Sequence, residues 1–478
     1  MVKWEELHLL LPQIILGIAA IAVMLSIAVR RSHLFVHKCT LIAIIVSFGA
    51  LFYMPSTASG ITSLFVVDGF STFFTGLILA SAFFITIISY PYLKGRNIRK
   101  EEYYILLLLA TLGAITMVIS NSFISFFLSL ELLSVSLYAL IAYLKKREVA
   151  IEAGIKYLIL AAVSAAILLF GIALVYAATG QLELSGLAAA LPVKDSMNTL
   201  FIAGMALIIA GIGFKLALVP FHLWTPDIYA GAPAPVSAFV ATISKGSVFA
   251  FLLRLFRDVN GPDHSSVWIA FAVIAIASML IGNWLALRQH NIKRLLAYSS
   301  IAHLGYLMVA LLAASAAGLR AAAFYLVTYF ISMLGAFGIV SYLSAKEEEI
   351  FNLEDYRGLF WQRPWLAALF TAVLLSLAGI PLSAGFIGKF YLLLSGVGSG
   401  LWLLVIVLVV SSTIGLFYYL RVIVAMFSRK QPVHQTVAGG ASISTGIALA
   451  VLFILLVWLG VFPAGLLDYI HQLMNLMH

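Results

Sequence analysis

Apolar runs long enough to cross a bilayer follow one another along the whole of this sequence, and no polar stretch between them is long enough to build a separate domain. A hydrocarbon core about 30 Å thick takes roughly 20 apolar residues to cross as a helix, and it holds no water to satisfy a stray N–H or C=O. Such a chain is confined to bundled helices. The spacing predicts them at residues 9 to 29, 38 to 55, 70 to 92, 103 to 119, 121 to 143, 150 to 177, 200 to 224, 233 to 256, 266 to 287, 293 to 313, 319 to 343, 363 to 395, 400 to 427 and 440 to 465. The expected fold is all-α integral membrane, about 14 transmembrane helices in a single polytopic domain over residues 1–478. Composition excludes a soluble protein, since the chain is 63% hydrophobic and 10% charged where a soluble domain is about a quarter charged. The net charge of +9 sits mostly in short loops and forms no basic stripe with interleaved aromatics, which argues against nucleic acid. The lone cysteine, Cys39, excludes disulfides, Cys-ligated iron-sulfur clusters and zinc fingers within the chain. The first apolar run comes after Glu5 and Glu6 and ends at Arg30 and Arg31 without a cleavage motif, so it reads as a retained helix.

Loop charges sort the connections into two sets. Arg30, Arg31 and Lys38, then Lys94, Arg96, Arg99 and Lys100, then Lys145, Lys146 and Arg147 fall on one side. Arg288, Lys293 and Arg294, then Lys346, Arg357 and Arg363, then Arg429 and Lys430 fall on the same side. The other side has only Lys3, Lys194, Arg257 and Arg320. By the positive-inside rule the rich side is cytoplasmic and both termini face the opposite compartment. Asp68, Glu101 and Glu102 sit at helix ends and are expected to be solvated.

Two predicted helices are interrupted. The seventh carries Gly213-Phe214-Lys215 ahead of Val219-Pro220-Phe221-His222, and the twelfth carries Ala378-Gly379-Ile380-Pro381 and then Gly385 and Gly388. Proline removes a backbone donor and crowds the preceding turn. Breaks at membrane depth survive only where protein or water satisfies the freed groups, and here water is expected to enter. The two lie five helices apart. An odd unit repeated in tandem is inverted in the membrane, so helices 4–8 (residues 103–256) and 9–13 (266–427) read as two inverted repeats meeting at a transport site.

Charges inside the apolar runs are the expensive residues. Glu131, Lys156, Lys215, Lys245 and Lys389 lie there, with Arg254 and Arg421 nearer their helix ends. Each costs about 2.5 to 3.5 kcal/mol at a helix centre. Ion pairs kept only for packing fail on counting, because four central lysines face one central glutamate. An excess of buried amines suits proton transfer, since burial weakens a lysine's hold on its proton and a nearby carboxylate strengthens it. Lys215 is expected to pair with Glu131, Lys245 to accept from it, and Lys156 to compete for the glutamate as the switch. His222 and His303 are candidate relays, weighed against plain structural hydrogen bonding. The spacing contains no His pair suited to a metal, no serine-nucleophile motif and no phosphate loop.

The segment Glu131-Leu132-Leu133-Ser134, the stretch GFKLALVPFHLWTPDIYAGAPAPVSAF from Gly213 to Phe239, and Ser244-Lys245 are specific motifs. With NIKRLLAYSSIAHLGY from Asn291 to Tyr306 and LAGIPLSAGFIGKF from Leu377 to Phe390, they closely resemble the antiporter-like membrane subunits of respiratory complex I. The likeness covers almost the whole chain and is closest to the subunit N branch. It implies a proton path through Glu131, Lys215 and Lys245 with Lys389 as the exit-side group. It also implies a proton-translocating subunit of NADH-quinone oxidoreductase in a bacterial inner membrane, with periplasmic termini and no redox chemistry of its own. NADH, flavin, iron-sulfur clusters and quinone then belong to partner subunits. Lysine at 389 and the absence of a long lateral helix favour subunit N over its siblings. The second repeat departs from symmetry: helix ten has no acid to match Glu131, helix eleven no lysine to match Lys156, and helix thirteen offers Arg421 in place of a second Lys245. One path with half its parts in each repeat is therefore expected. The alternatives are a cation/proton antiporter subunit of a related multisubunit transporter, and a scaffold module, against which the lysine excess argues.

Overall fold

In the computed structural model the described residues are 4–54, 59–190, 199–258, 265–344, 349–429 and 442–475. The loop charges Lys3, Lys194, Lys346 and Lys430 lie outside them. Every helix predicted from the apolar spacing is present. They are α1 (Leu11–Val29), α2 (His33–Ala50), α3 (Gly69–Lys94), α4 (Glu102–Val118), α5 (Phe123–Ile141), α6 (Glu148–Thr179) and α7 (Thr199–Leu216, resuming at Trp224–Gly231). Next come α8 (Ala234–Asp258), α9 (Ser265–Leu287), α10 (Ile292–Ala313), α11 (Ala316–Leu343), α12 (Pro364–Ala378, resuming at Ala384–Gly398), α13 (Trp402–Phe427) and α14 (Ile443–Val461). Twelve are long and apolar enough to cross a membrane unaided; α4 is shorter, and α12 reaches that length only by joining its halves.

Local chemistry sets the ends. The Ser32 hydroxyl accepts from Phe35 N and starts α2 five residues earlier than hydropathy suggests. Asp68 and Ser71 form a reciprocal capping box on α3. Gly180, at φ +67°, closes α6 in the left-handed conformation that costs glycine least. Three small elements were not expected from the apolar spacing. A two-stranded hairpin pairs Ser59–Ile61 with Phe65–Val67, a short helix spans Leu184–Ala190, and a last helix spans Ala464–Asn475 beyond the Pro463 that ends the apolar run.

Helices α8 and α10 are buried throughout their apolar windows, and α11 nearly so, whereas α1, α2, α6, α13 and α14 leave broad apolar faces uncovered. The centre of the bundle is thus made by the helices carrying Lys245 and His303. The two five-helix sets have matching neighbours: α4 packs on α5 as α9 does on α10, α6 on α7 as α11 on α12, and α4 on α8 as α9 on α13. Two glycines fix the register. A Cβ on Gly113 would stand 2.7 Å from Leu133 N and 2.9 Å from Ser129 O, and one on Gly282 would stand 2.8 Å from Ala302 N and 3.0 Å from Tyr298 O. The same sequence offset separates each of these pairs. Carried to Glu131 it lands on Ser300, so the position without an acid in α10 has a definite occupant.

Candidate functional site

The first half of α7 ends one residue after Lys215, with Ala217 at φ +59° and a loop running to Trp224. The backbone freed by the break is satisfied by protein: Trp224 Nε1 donates to Phe214 O (2.9 Å), Leu218 N to Gly213 O (2.8 Å), and Val219 N to Ser278 Oγ (2.9 Å). In α12 the turn at Gly379, φ +83°, exposes two carbonyls, and Lys389 Nζ takes both, Leu377 O at 2.9 Å and Ala378 O at 2.8 Å. A tryptophan, a serine and a lysine thus take backbone groups at the two breaks. A side chain is the better partner where it is already held in place, because it adds no molecule to immobilise.

Lys215, Lys245 and Lys389 are all buried in the bundle. Lys215 Nζ donates to Ser134 Oγ at 2.7 Å, across from α7 to α5. The direct ion pair with Glu131 expected from the sequence is not formed, because Ser134, three residues further on the same helix face, takes the ammonium instead. Glu131 keeps one carboxylate oxygen, Oε1, buried without a protein partner. Lys156 is not poised on Glu131 either: its ammonium stands 2.6 Å from Glu152 and 3.2 Å from Asp227, half-exposed. Helical spacing explains this, since Glu152 is one turn before Lys156 and Asp227 lies on the second half of α7 packed against α6.

Lys245 comes directly after a π-helical turn, Val240–Ser244, which the sequence did not signal. One extra residue in a turn rotates the side chains beyond it about the helix axis, a device found often at functional sites. Its Nζ donates to Ser300 Oγ at 2.7 Å, and Tyr329 Oη donates to the same oxygen at 2.7 Å. Lys389 adds Ser412 Oγ at 2.8 Å to its two carbonyls. His303 stands between these groups, with Nδ1 2.7 Å from Tyr325 Oη and Nε2 3.1 Å from Tyr419 Oη, which in turn bonds Ser299. Both ring nitrogens of His222 are buried without a protein partner. Three hydroxyls were missed from sequence because most buried serines in helices bond their own preceding turn, as Ser134 also does to Leu130 O at 2.6 Å.

Several other cations have carboxylates. Arg254 grips Asp68 with two bonds of 3.0 Å, both groups buried, so Asp68 is not the solvated helix-end residue expected. Burial acts to raise the Asp68 carboxyl, and the Arg254 charge with the Ser71 bonds outweighs it, holding it below the ordinary range. Lys293, read as a loop charge, is fully buried, and its Nζ lies 2.9 Å from Glu349. Glu349 also accepts from Arg147 (3.0 Å), Ala234 N (2.9 Å) and Tyr92 Oη. Burial pushes its carboxyl up, but Lys293 and Arg147 bring it down to about 2. Loops predicted on one side of the bundle therefore meet at one carboxylate. Glu349 closes a run of charges from Lys346, which in sequence is indistinguishable from a solvated loop. Glu102 keeps a partly exposed pair with Arg31 at 2.9 Å. Arg294 reaches Asp227 at 2.6 Å, and Arg421 caps the end of α9 through Leu287 O and Gln289 O. Arg421 is a capping residue here, which is why it makes no copy of Lys245. Among the described residues no group of three metal-ligating side chains occurs.

Residues 120–415 match the family described as NADH:quinone oxidoreductase/Mrp antiporter, transmembrane, a stretch that contains Glu131, Lys215, Lys245 and Lys389. A chain of respiratory complex I from Thermus thermophilus, solved with bound aureothin, is 33% identical with a TM-score of 0.83, over 96% of this chain and 98% of that one. A chain of the archaeal membrane-bound sulfane sulfur reductase, a respiratory membrane complex, is 25% identical with a TM-score of 0.85, over 99% and 98%. A chain of the Mrp complex from Dietzia sp. DQ12-45-1b has the same fold, at 20% identity and a TM-score of 0.85, over 98% and 97%.

Proposed function

The chain belongs to the transmembrane family shared by NADH:quinone oxidoreductase and the Mrp antiporters, and on that premise we propose that it is a proton-translocating subunit of an NADH-quinone oxidoreductase, of the subunit N type. The observation that carries this reading is a row of buried lysines without carboxylate partners among the described residues, in a chain 33% identical over nearly its full length to one from respiratory complex I. In this reading residues 103–256 and 266–427 are the two inverted repeats. Glu131, Lys215 and Lys245 carry the proton, His303 relays it, and Lys389 delivers it at the exit side. Lys156, held by Glu152 and Asp227, and His222, beside the α7 break, are candidate switch and relay groups.

Partner subunits supply NADH oxidation, flavin, iron-sulfur clusters and quinone reduction, and this chain answers their conformational change with proton transfer. It sits in a bacterial inner membrane with both termini periplasmic, the side poor in lysine and arginine. The test is proton pumping by the reconstituted complex carrying Lys215→Ala. Pumping is expected to stop while assembly survives. Lys215→Arg is expected to fail too, because a guanidinium does not release its proton near neutral pH. Normal pumping in either variant removes the assignment.

A further inference from the structure

The three central lysines share a surrounding that no other described lysine has. Beside its serine, each ammonium stands over a tyrosine face: Lys215 over Tyr157 at 5.7 Å, Lys245 over Tyr229 at 5.4 Å and Lys389 over Tyr306 at 5.2 Å. These distances are within the roughly 6 Å at which a ring attracts a cation. Among the described residues none of the three has a carboxylate within ion-pair distance, whereas Lys156, Lys293, Arg147, Arg254 and Arg294 all do. The second repeat sharpens the contrast: at the place that Glu131 occupies in α5, α10 has Ser300, and Ser300 is the group that Lys245 grips.

We propose that Ser134, Ser300 and Ser412, each with the tyrosine face beside it, are positioning residues that seat Lys215, Lys245 and Lys389 in charged and uncharged form alike. The proposal rests on the proton-path reading and adds the groups that make each lysine reversible. An ammonium has three N–H donors and no acceptor, and a neutral amine has a lone pair that accepts; a hydroxyl serves both, as acceptor to the first and donor to the second. A carboxylate has no hydrogen to offer the lone pair, and its charge favours the protonated lysine. When Lys245 passes one proton on toward His303, the relay of that reading, the C–N bond and the serine O–H both survive, and the hydroxyl turns its hydrogen toward the amine. The tyrosine face favours the cation without forming a pair that has to be broken. The seat therefore keeps the side chain in position while leaving the driving charge changes elsewhere in the complex to decide whether it holds a proton.

The test uses the full chain in its assembled complex, reconstituted into vesicles, with proton translocation and electron transfer measured together across pH. Ser300→Ala is expected to slow translocation about ten-fold, the effect of losing one hydrogen bond to a charged group, and to change its pH dependence. Ser300→Thr, which restores a hydroxyl, is expected to recover most of the rate. Ser300→Glu, which installs a carboxylate where α5 has one, is expected to assemble and to block translocation by locking Lys245 charged. Lys245→Ala separates the two readings. If it stops translocation while Ser300→Ala and Ser300→Glu both run at the wild-type rate, the seat is overturned and the path stands. If Lys245→Ala itself translocates normally, the path is overturned and the seat with it. Should Ser300→Glu not assemble, Ser300→Ala against Ser300→Thr decides alone, and equal rates overturn the proposal.

Discussion

The ends of this bundle and its middle treat positive charge in opposite ways. At one end Arg254 and Asp68 join α8 to the start of α3 through two 3.0 Å bonds; at the other Glu349 gathers Lys293, Arg147, Tyr92 and the first N–H of α8. Between these anchors Lys245 has a serine and a ring face. A carboxylate in a dry interior fixes its partner's charge and the geometry of both. A hydroxyl fixes only the geometry. Helix α8 is pinned at its two ends by paired charges, and between them, just past the π-helical turn, stands a lysine held by a hydroxyl.

The strongest way to break this contrast is Glu349→Ala, which leaves the buried Lys293 and the part-buried Arg147 without their counter-charge. Removing one partner of a buried pair costs about 3 to 5 kcal/mol, so thermal unfolding in detergent should fall steeply, and an unchanged Tm would reduce the cluster to ordinary packing. The same carboxylate sets an acid limit. Its pKa lies below the usual 4.5 in the folded chain, so the stability it contributes is complete above about 4.5 and drains away as pH falls toward about 2. Melting temperatures taken from pH 5.5 to 3 should show that loss in the wild type and a flatter curve in Glu349→Gln; parallel curves would assign the acid sensitivity to another group.

Lys245→Met should behave in the opposite sense to Glu349→Ala, because no carboxylate loses its partner. Stability is expected to shift by no more than about 1 kcal/mol, in either direction, while translocation stops. A loss as large as that of Glu349→Ala would place Lys245 among the structural charges. The smallest effect is expected from Lys156→Gln, whose pairs with Glu152 and Asp227 are half-exposed. Its stability change should stay within about 0.5 kcal/mol, so any sizeable loss of pumping measured beside an unmoved Tm would mark Lys156 as a moving part.

Much of this was legible without coordinates. Uninterrupted apolar runs left helices as the only structure able to satisfy a backbone in lipid, and Pro220 and Gly379 marked where two of them break. The lysines stood out because charge in such runs is costly. The contacts were less legible. Lys293 and Asp68 looked like helix-end charges, yet both are buried, since whether a helix end is wet depends on which loops fold over it. Ser134 stood in the same motif as Glu131 without any sign that it, and not the glutamate, would take Lys215.

By itself the amino-acid order determined the helix count, the two breaks, the five-helix spacing between them and the presence of more buried amines than acids. Each comes from local chemistry: hydropathy over a segment, the geometry of proline and glycine, the cost of a charge in hydrocarbon. Tertiary structure alone decided which partner each buried charge received. Serine, tyrosine and glutamate compete for the same ammonium on nearly equal terms, and the winner is set by helix register to within a few ångströms. Gly113 and Gly282 establish that register by letting α4 meet α5, and α9 meet α10, backbone to backbone, and with it they put Ser300 of α10 where Glu131 stands in α5.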